Sequence, residues 1–502
     1  MTQRFMTHVS IARFNFELCA DLYNQIFEIG WKGSGRSWGQ LPTWWQHFQP
    51  TDAEASRYHP WMIEFLKRVY YRPDSPPFFY YVGNLSSGEY LVDEHVNGLA
   101  DAHDCFLYLH HSTGWMCGDE YGILFDQVAC KATFVAHCED NLDRINTGYG
   151  WKPLEDIYGA YLAMITSRKV EVQQWPSGRW EWETDTNQLC HSPIETIGPW
   201  RFHTYTPTDI QLAVAALQEL LDAIEARLPP SATSTADVTA TAGTSGSSTL
   251  TMLPWADPSV REEARILPNS FAGAFCDATA TTCTTATHRA FRYLAPGIRL
   301  PTIAEFRAQP FRDYEYVPWY LRELPRLRPI RPTLLLVADP EDPSSLSSPP
   351  MVVPDPGIDL NDFLTSRRRV SLPVPARPAG LYLSGDDRDN RSWESGCHLL
   401  LPFSIGEQGW VRRSDGTIMG RDYADDLGPR PGKTNSELYQ CVENGCAPHR
   451  HVSIHQVLRN WAERVREGDW DVDEDGVSGG IGKWREADTE EMWEKYRVPL
   501  EI

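Results

Sequence analysis

The stretch 229-PPSATSTADVTATAGTSGSSTLTM-252 gives up nearly every large apolar side chain in favour of small and hydroxylated ones. A segment of that composition cannot bury enough surface to offset the entropy of ordering it, so it reads as a disordered linker. The chain of 502 residues is too long for one hydrophobic core, and the linker divides it into residues 1–228 and residues 253–502. Counting along the sequence gives 16 basic and 29 acidic residues before the linker, against 30 and 38 after it. The acidity is concentrated in the first part.

Immediately before the linker, TPTDIQLAVAALQELLDAIEARLP starts with Thr206 at the N-cap, Pro207 at N1 and Asp209 at N3. Ile210, Val214, Leu217, Leu221, Ile224 and Leu228 then recur at spacings of four and three, predicting a helix with one apolar stripe that is expected to pack within the same chain rather than serve as a dimerisation helix. Further helices are expected over Pro60–Tyr71 and Leu154–Arg168. VEVQQWPSGRWEWETD, turning at Pro176-Ser177-Gly178, reads as a β-hairpin. The first region is therefore expected to be helix-rich with a small β element.

After the linker come short apolar runs at Thr333–Ala338, Gly380–Leu383 and His398–Leu401, which read as buried strands. The fold class is α+β or α/β, with a buried sheet in a mixed C-terminal half. Proline-rich stretches make the region near 339–380 an insert or a set of long surface connections. No internal repeat is present.

The first residues, MTQRFMTHVSIARFNFELCADL, lack the unbroken apolar core of a signal peptide, and no stretch approaches the roughly 20 apolar residues of a membrane span. Eleven cysteines at irregular spacing in a long chain read as reduced thiols, in keeping with a soluble, cytoplasmic protein. A formal charge of −22 repels nucleic acid at long range, so a nucleic-acid partner would need a local basic patch.

Ser384-Gly385-Asp386-Asp387-Arg388-Asp389-Asn390 follows directly on an expected strand. Ligands of open α/β sheets bind beyond the carboxyl ends of strands. Clustered carboxylates there could hold a cation, clamp a guanidinium or act as a base, although a solvated turn balanced by Arg388 and Arg391 has the same pattern. Two basic islands bracket the loop: Arg322, Arg326, Arg328 and Arg331, and Arg367 to Arg369. From Arg289 to Arg331 there are nine basic and four acidic residues, and Tyr314, Tyr316, Trp319 and Tyr320 lie alongside. Arginines and aromatics in that mixture could seat a phosphodiester and stack on bases, or anchor surface loops.

Cys441, Cys446, His449 and His451 fall within eleven residues and could supply the four ligands of a zinc ion, with His455 nearby, although the spacing matches no common finger and structural cysteines beside a helix capped by Ser453 and Gln456 are the favoured reading. Asp93, Glu94, His95, His103, His110, His111 and His137 form a diffuse group around Cys105, Cys117, Cys130 and Cys138, without a ligand motif such as H-E-x-x-H. His103 and His110 could share a helical face. Asp471, Asp473, Asp475 and Gly476 begin like a calcium loop, but Gly482 stands where the bidentate glutamate belongs. The glycines around Gly33 and Gly479 complete no nucleotide fingerprint, and Ser384 and Cys397 have no identifiable base in sequence.

The acidic loop and the ending GGIGKWREADTEEMWEKYRVP from Gly479 resemble uncharacterised fungal proteins, and among these the arginine-containing cyclodipeptide synthases, which are associated with an Asp-Asp-x-x-Glu motif. Asn390 stands where that pattern carries glutamate, and an amide accepts hydrogen bonds but cannot serve as a base. Glu490-Glu491-Met492-Trp493-Glu494 is a second placement for an acidic motif of this shape. The resemblance implies a tRNA-dependent transferase of secondary-metabolite biosynthesis that joins arginine and a second amino acid into a diketopiperazine. Asp386, Asp387 and Asn390 would be catalytic, and Arg322, Arg326, Arg328 and Arg331 would meet arginyl-tRNA. The alternative is a zinc-stabilised binding or regulatory protein without catalytic activity.

Overall fold

The computed structural model describes residues 14–80, 82–92, 97, 104–112, 122–135, 151–173, 196–197, 199–229, 253–282, 291–312, 332–341, 351–352, 377–383, 395–414, 416, 418–419, 435–439 and 452–499. They fall into two compact units that part between His203 and Thr204, ahead of the helix that precedes the linker sequence rather than behind it.

In the first unit, α1 (Phe16–Gly33) is capped by the Asn15 side chain and buries Cys19, Tyr23, Ile26, Phe27, Gly30 and Trp31, a stripe at spacings of three and four. Three short helices follow, α2 (Trp44–Phe48), α3 (Asp52–Ala55) and α4 (Pro60–Leu66). Thr43 and Thr51 close capping boxes on the first two, and His59 with Pro60 starts the third.

An antiparallel sheet in sequential order then comprises β1 (Val82–Leu85), β2 (Phe106–Ser112), β3 (Gly122–Asp126) and β4 (Lys131–Val135), with α5 (Gly88–Leu91) between β1 and β2. The sequence reading held no counterpart of this sheet. After α6 (Leu154–Thr166), β5 (Val170–Val172) pairs with β7 (Trp200–Phe202), which also carries β6 (Thr196–Ile197). Thus the strand beginning VEV takes its described partner from residues 200–202, while the expected turn at Pro176–Gly178 lies outside the described residues.

The second unit begins with α7 (Pro207–Glu225), where Thr206 and Asp209 form the anticipated capping box. Its buried face is wider than the predicted stripe, because Ala213, Ala216 and Ala223 are buried with Val214, Leu217, Leu221 and Ile224, while Ile210 and Leu228 pack at the margin. Small side chains let another helix approach closely, and that partner comes from far along the chain. Next come α8 (Pro258–Glu263), α9 (Phe271–Thr282), β8 (Tyr293–Ala295), β9 (Ile298–Arg299), α10 (Ile303–Arg307) and β10 (Thr333–Ala338).

Then β11 (Met351–Val352) pairs with β12 (Arg377–Pro378) in a two-stranded ribbon within the proline-rich region. The unit closes with β13 (Gly380–Leu383), β14 (Cys397–Ile405), β15 (Asn435–Leu438), α11 (Ile454–Glu467), the hairpin β16 (Val472–Asp473) and β17 (Gly476–Val477), a 3₁₀ segment over Ile481–Asp488, and α12 (Trp493–Tyr496).

Eight strands share one sheet in the order β15-β14-β13-β10-β9-β8-β17-β16, antiparallel except for β17 against β8. The three predicted strands lie side by side within it as β14, β13 and β10, and the class is α+β. One face packs on α7, α9 and α11. The helix α7 lies along α11, and Arg227 donates to the Val465 and Trp470 carbonyls at that helix's C-terminal end.

Trp461, Trp470, Trp484 and Tyr496 interlock edge-to-face with ring centres 5.5–6.3 Å apart. Their buried N–H groups find Tyr439 Oη at 3.0 Å, Tyr496 Oη at 3.4 Å and the Pro296 carbonyl at 2.8 Å. Ile481, Trp484, Ala487, Tyr496 and Val498 of the ending from Gly479 are therefore core. Within it, Asp488 accepts backbone hydrogen bonds from Gly406, Gln408, Trp410 and Val411 at 2.8–3.0 Å, which fixes the bend after β14.

Candidate functional site

The residues singled out as catalytic, Asp386, Asp387 and Asn390, lie outside the described residues, as do Arg322, Arg326, Arg328 and Arg331 and the zinc candidates Cys441, Cys446, His449 and His451. Their borders are described, and the sheet brings those borders together. Thr333, which ends the gap holding the arginines, pairs with Leu383, from which the acidic loop departs. Leu383 pairs in turn with Cys397, just past the loop's far side. Leu399 pairs with Leu438 at the start of the Cys/His segment, and the Cys397 N–H donates to the Val452 carbonyl where that segment returns, at 2.9 Å. Antiparallel pairing thus puts the borders of all three segments at one end of β10, β13, β14 and β15. A parallel sheet's carboxyl edge, the premise of the sequence argument, is not what does this.

Beside this end, the face of the sheet turned away from α7 and α11 carries a mixed polar and apolar group. Leu334 pairs with Tyr382, Tyr382 with His398, and Leu400 with Glu437, so all five side chains share one face. Phe311, Leu334, Val337, Tyr382 and Leu400 form its apolar cluster. Where β9 stops short, the Gln309 side chain takes the place of a neighbouring strand, accepting from Leu334 N at 2.8 Å and donating to its carbonyl at 3.0 Å.

His398 Nδ1 meets a Glu437 carboxylate oxygen, and the two side chains are only 13% and 6% exposed. A carboxylate packed beside a buried imidazole is the pairing found where a general base is oriented by a third group. Arg377 is buried with its guanidinium 4.8 Å from the Phe311 ring centre. Tyr382 Oη donates to the Pro378 carbonyl at 2.6 Å. Burial pushes the Tyr382 phenol well above its usual range, against the pull of Arg377, so it is a hydrogen-bond donor and not a phenolate. The set brings an imidazole and a neutral donor on one sheet face together with a cation from the neighbouring ribbon. None of these residues stands out in sequence, since strand register alone assembles them.

Other motifs resolve structurally. Cys397 is fully buried, its thiol donates to the Val452 carbonyl at 3.5 Å, and burial raises its pKa, which disfavours a nucleophilic thiolate. His110 lies on strand β2, so it shares no helical face with His103, and it is bonded through Nδ1 to the Gly83 carbonyl and through Nε2 to Tyr158 Oη, both at 2.8 Å.

Among the described residues no group of His, Cys, Asp or Glu is arranged to hold a metal ion. Ser453 N donates to Gln456 at the start of α11, as the sequence predicts, and His455 is buried in the first turn. Asp473 accepts from Asp475 N at 2.8 Å inside the β16–β17 turn, which accounts for the calcium-like spacing. Glu490, Glu491 and Glu494 are exposed, a solvated surface rather than an acidic pocket. Gly479 and Gly480 have φ of +105° and +67° and turn the chain into the 3₁₀ segment, so they are there for backbone geometry.

No helix among the described residues is long and apolar enough to cross a membrane. No protein-family model matches the chain, and neither a curated protein nor a solved structure does so.

Proposed function

We propose that this chain is a tRNA-dependent synthase that joins arginine and a second amino acid into a cyclic dipeptide. The observation that carries the reading is the convergence of the borders of the arginine-rich, acidic and Cys/His segments on the sheet end beside His398 and Glu437. Such a reaction needs cations for tRNA phosphates, carboxylates for the arginine guanidinium and a base for an ammonium group, and the three requirements fall to neighbouring parts of the sequence.

The chemistry is two aminolyses. The α-amine of one aminoacyl ester attacks the carbonyl of the other, the amide C–N bond forms, the ester C–O bond breaks, and one tRNA leaves with its ribose hydroxyl reprotonated by the proton the amine gives up. The same reaction within the dipeptidyl ester closes the ring and releases the second tRNA. His398 accepts the amine proton, Glu437 holds the imidazole in the required orientation, and Asp386 and Asp387 clamp the arginine side chain.

The test is expression of the full chain in a host with its own charged tRNAs, followed by mass spectrometry of extracts for arginine-containing diketopiperazines. Their appearance only with the chain supports the reading. Their absence with abundant soluble protein overturns it.

A further inference from the structure

A second feature lies in the first unit and belongs to no part of the site above. The end of α1, the turn after it and residues 67–72 form a surface on which cations and aromatic rings alternate. Lys32 Nζ lies 5.5 Å from the ring centre of Trp38, and Lys67 Nζ lies 5.6 Å from that of Trp45. The guanidinium carbons of Arg36 and Arg72 lie 4.9 and 5.8 Å from the Trp31 ring centre. Tyr70 meets Trp38 edge-on at 5.4 Å and Phe27 at 6.4 Å, and the Thr43–Tyr70 bridge brings α2 with Trp45 alongside.

Three carboxylates serve this surface: Glu28 on Lys32, Glu64 on Lys67 and Arg68, and Asp74 on Arg36 and Arg72. Five cations therefore face three anions across residues 28–38 and 64–74, a positive island in a chain of net charge −22.

Capping the negative end of α1 explains Lys32. It does not explain Trp38, which stays 37% exposed in a glycine-containing turn where a Cβ on Gly35 or Gly39 would meet nothing within 4 Å. An exposed indole in perpendicular contact with Tyr70, with ammonium and guanidinium groups around it, offers what unpaired nucleotides require: a π surface for the base and cations for the phosphates. A duplex hides its base faces and an acidic peptide has no use for the stacking ring.

We infer that this surface binds a single-stranded nucleic acid end, with a base stacked on Trp38 and its phosphates against Lys32, Lys67 and Arg72. The choice of RNA as the strand rests on the tRNA-dependent reading above, since the acceptor end of tRNA is unpaired.

Fluorescence anisotropy with the full-length protein, a labelled 12-nucleotide single-stranded RNA ending in CCA and the same sequence as a blunt duplex tests this. Single-strand binding tighter than duplex binding is expected, weakened about tenfold by Trp38→Ala. Lys67→Glu should flatten the dependence of affinity on salt. Both positions are exposed, and circular dichroism checks that each variant is folded. Equal affinity for both RNAs, no binding, or wild-type binding by both variants overturns the inference. Diketopiperazine production is scored separately: product without RNA binding at this surface removes the inference and leaves the proposed reaction, whereas binding without product does the reverse.

Discussion

The imidazole Nδ1 of His398 and a carboxylate oxygen of Glu437, on adjacent strands and far apart in sequence, lie in close contact on the face of the sheet turned away from the helices. A pair this well buried contributes little net stability, because desolvating the carboxylate offsets much of the attraction, and its value lies in orientation. His398→Gln should therefore reduce diketopiperazine formation about 100-fold, the usual scale of a lost general base. Glu437→Gln, which leaves the base in place but frees its ring, should cost about tenfold. Mass spectrometry of product normalised to soluble protein checks both, and near-normal yield from both variants would remove the pair from the chemistry.

Asp488 makes a different prediction, about stability. Its two oxygens accept four backbone N–H groups, and removing them strands one buried donor, Val411 N, at roughly 1–3 kcal/mol and three part-buried donors at less each. Asp488→Ala should lower unfolding free energy by about 3 kcal/mol or more. Asp488→Asn keeps one acceptor oxygen and should fall between. Urea denaturation of the three proteins orders them.

These two residues also show what was legible in the sequence. Helix α7 and the strands β10, β13 and β14 carry their signals locally, in caps, periodicity and short apolar runs, and the structure places them as read. The role of Asp488 is carried by backbone groups some eighty residues away, which have no sequence identity to recognise. His398 and Glu437 meet only through strand register. The sheet β1–β4 has no such local signal: its strands are short, β2 carries His110 and His111 in a pattern that also suits ligands, and only the pairing shows His110 to be a buried core residue.

The pH dependence of stability follows from that histidine. Complete burial lowers the His110 pKa to about 4, below the 6.5 of an exposed imidazole. Since its Nδ1 faces a carbonyl that only accepts, Nδ1 carries the proton and Nε2 accepts from Tyr158 in the neutral form. Above pH 6.5 neither folded nor unfolded chain protonates the remaining nitrogen. Between 6.5 and 4 the unfolded chain binds the proton and the folded one does not, so stability falls as pH falls, by roughly 2–3 kcal/mol at pH 4.5. Below 4 the loss levels off. Urea unfolding at pH 7 and 4.5 should show this difference diminished by that amount in His110→Gln, whatever the variant's absolute stability.

The placement of α7 gives the last test. Composition puts a division after residue 228, and a fragment starting at residue 253 would then be a complete folding unit. In the structure Val214, Leu217, Leu221 and Ile224 are buried in the same core as Val457, Trp461 and Val465, and Arg227 holds the end of α11. Without α7 that face of α11 would meet water, an apolar patch of the kind that drives aggregation. Burying four such side chains stabilises by about 1.5–3 kcal/mol each, comparable in sum to the whole stability of an ordinary domain. A fragment over residues 204–502 should therefore be soluble and unfold cooperatively, whereas residues 253–502 should aggregate or remain molten. Adding a peptide of residues 204–229 in trans should restore some cooperativity to the shorter fragment. If residues 253–502 instead fold cooperatively alone, α7 is an accessory to that core, and the compositional boundary is the physical one after all.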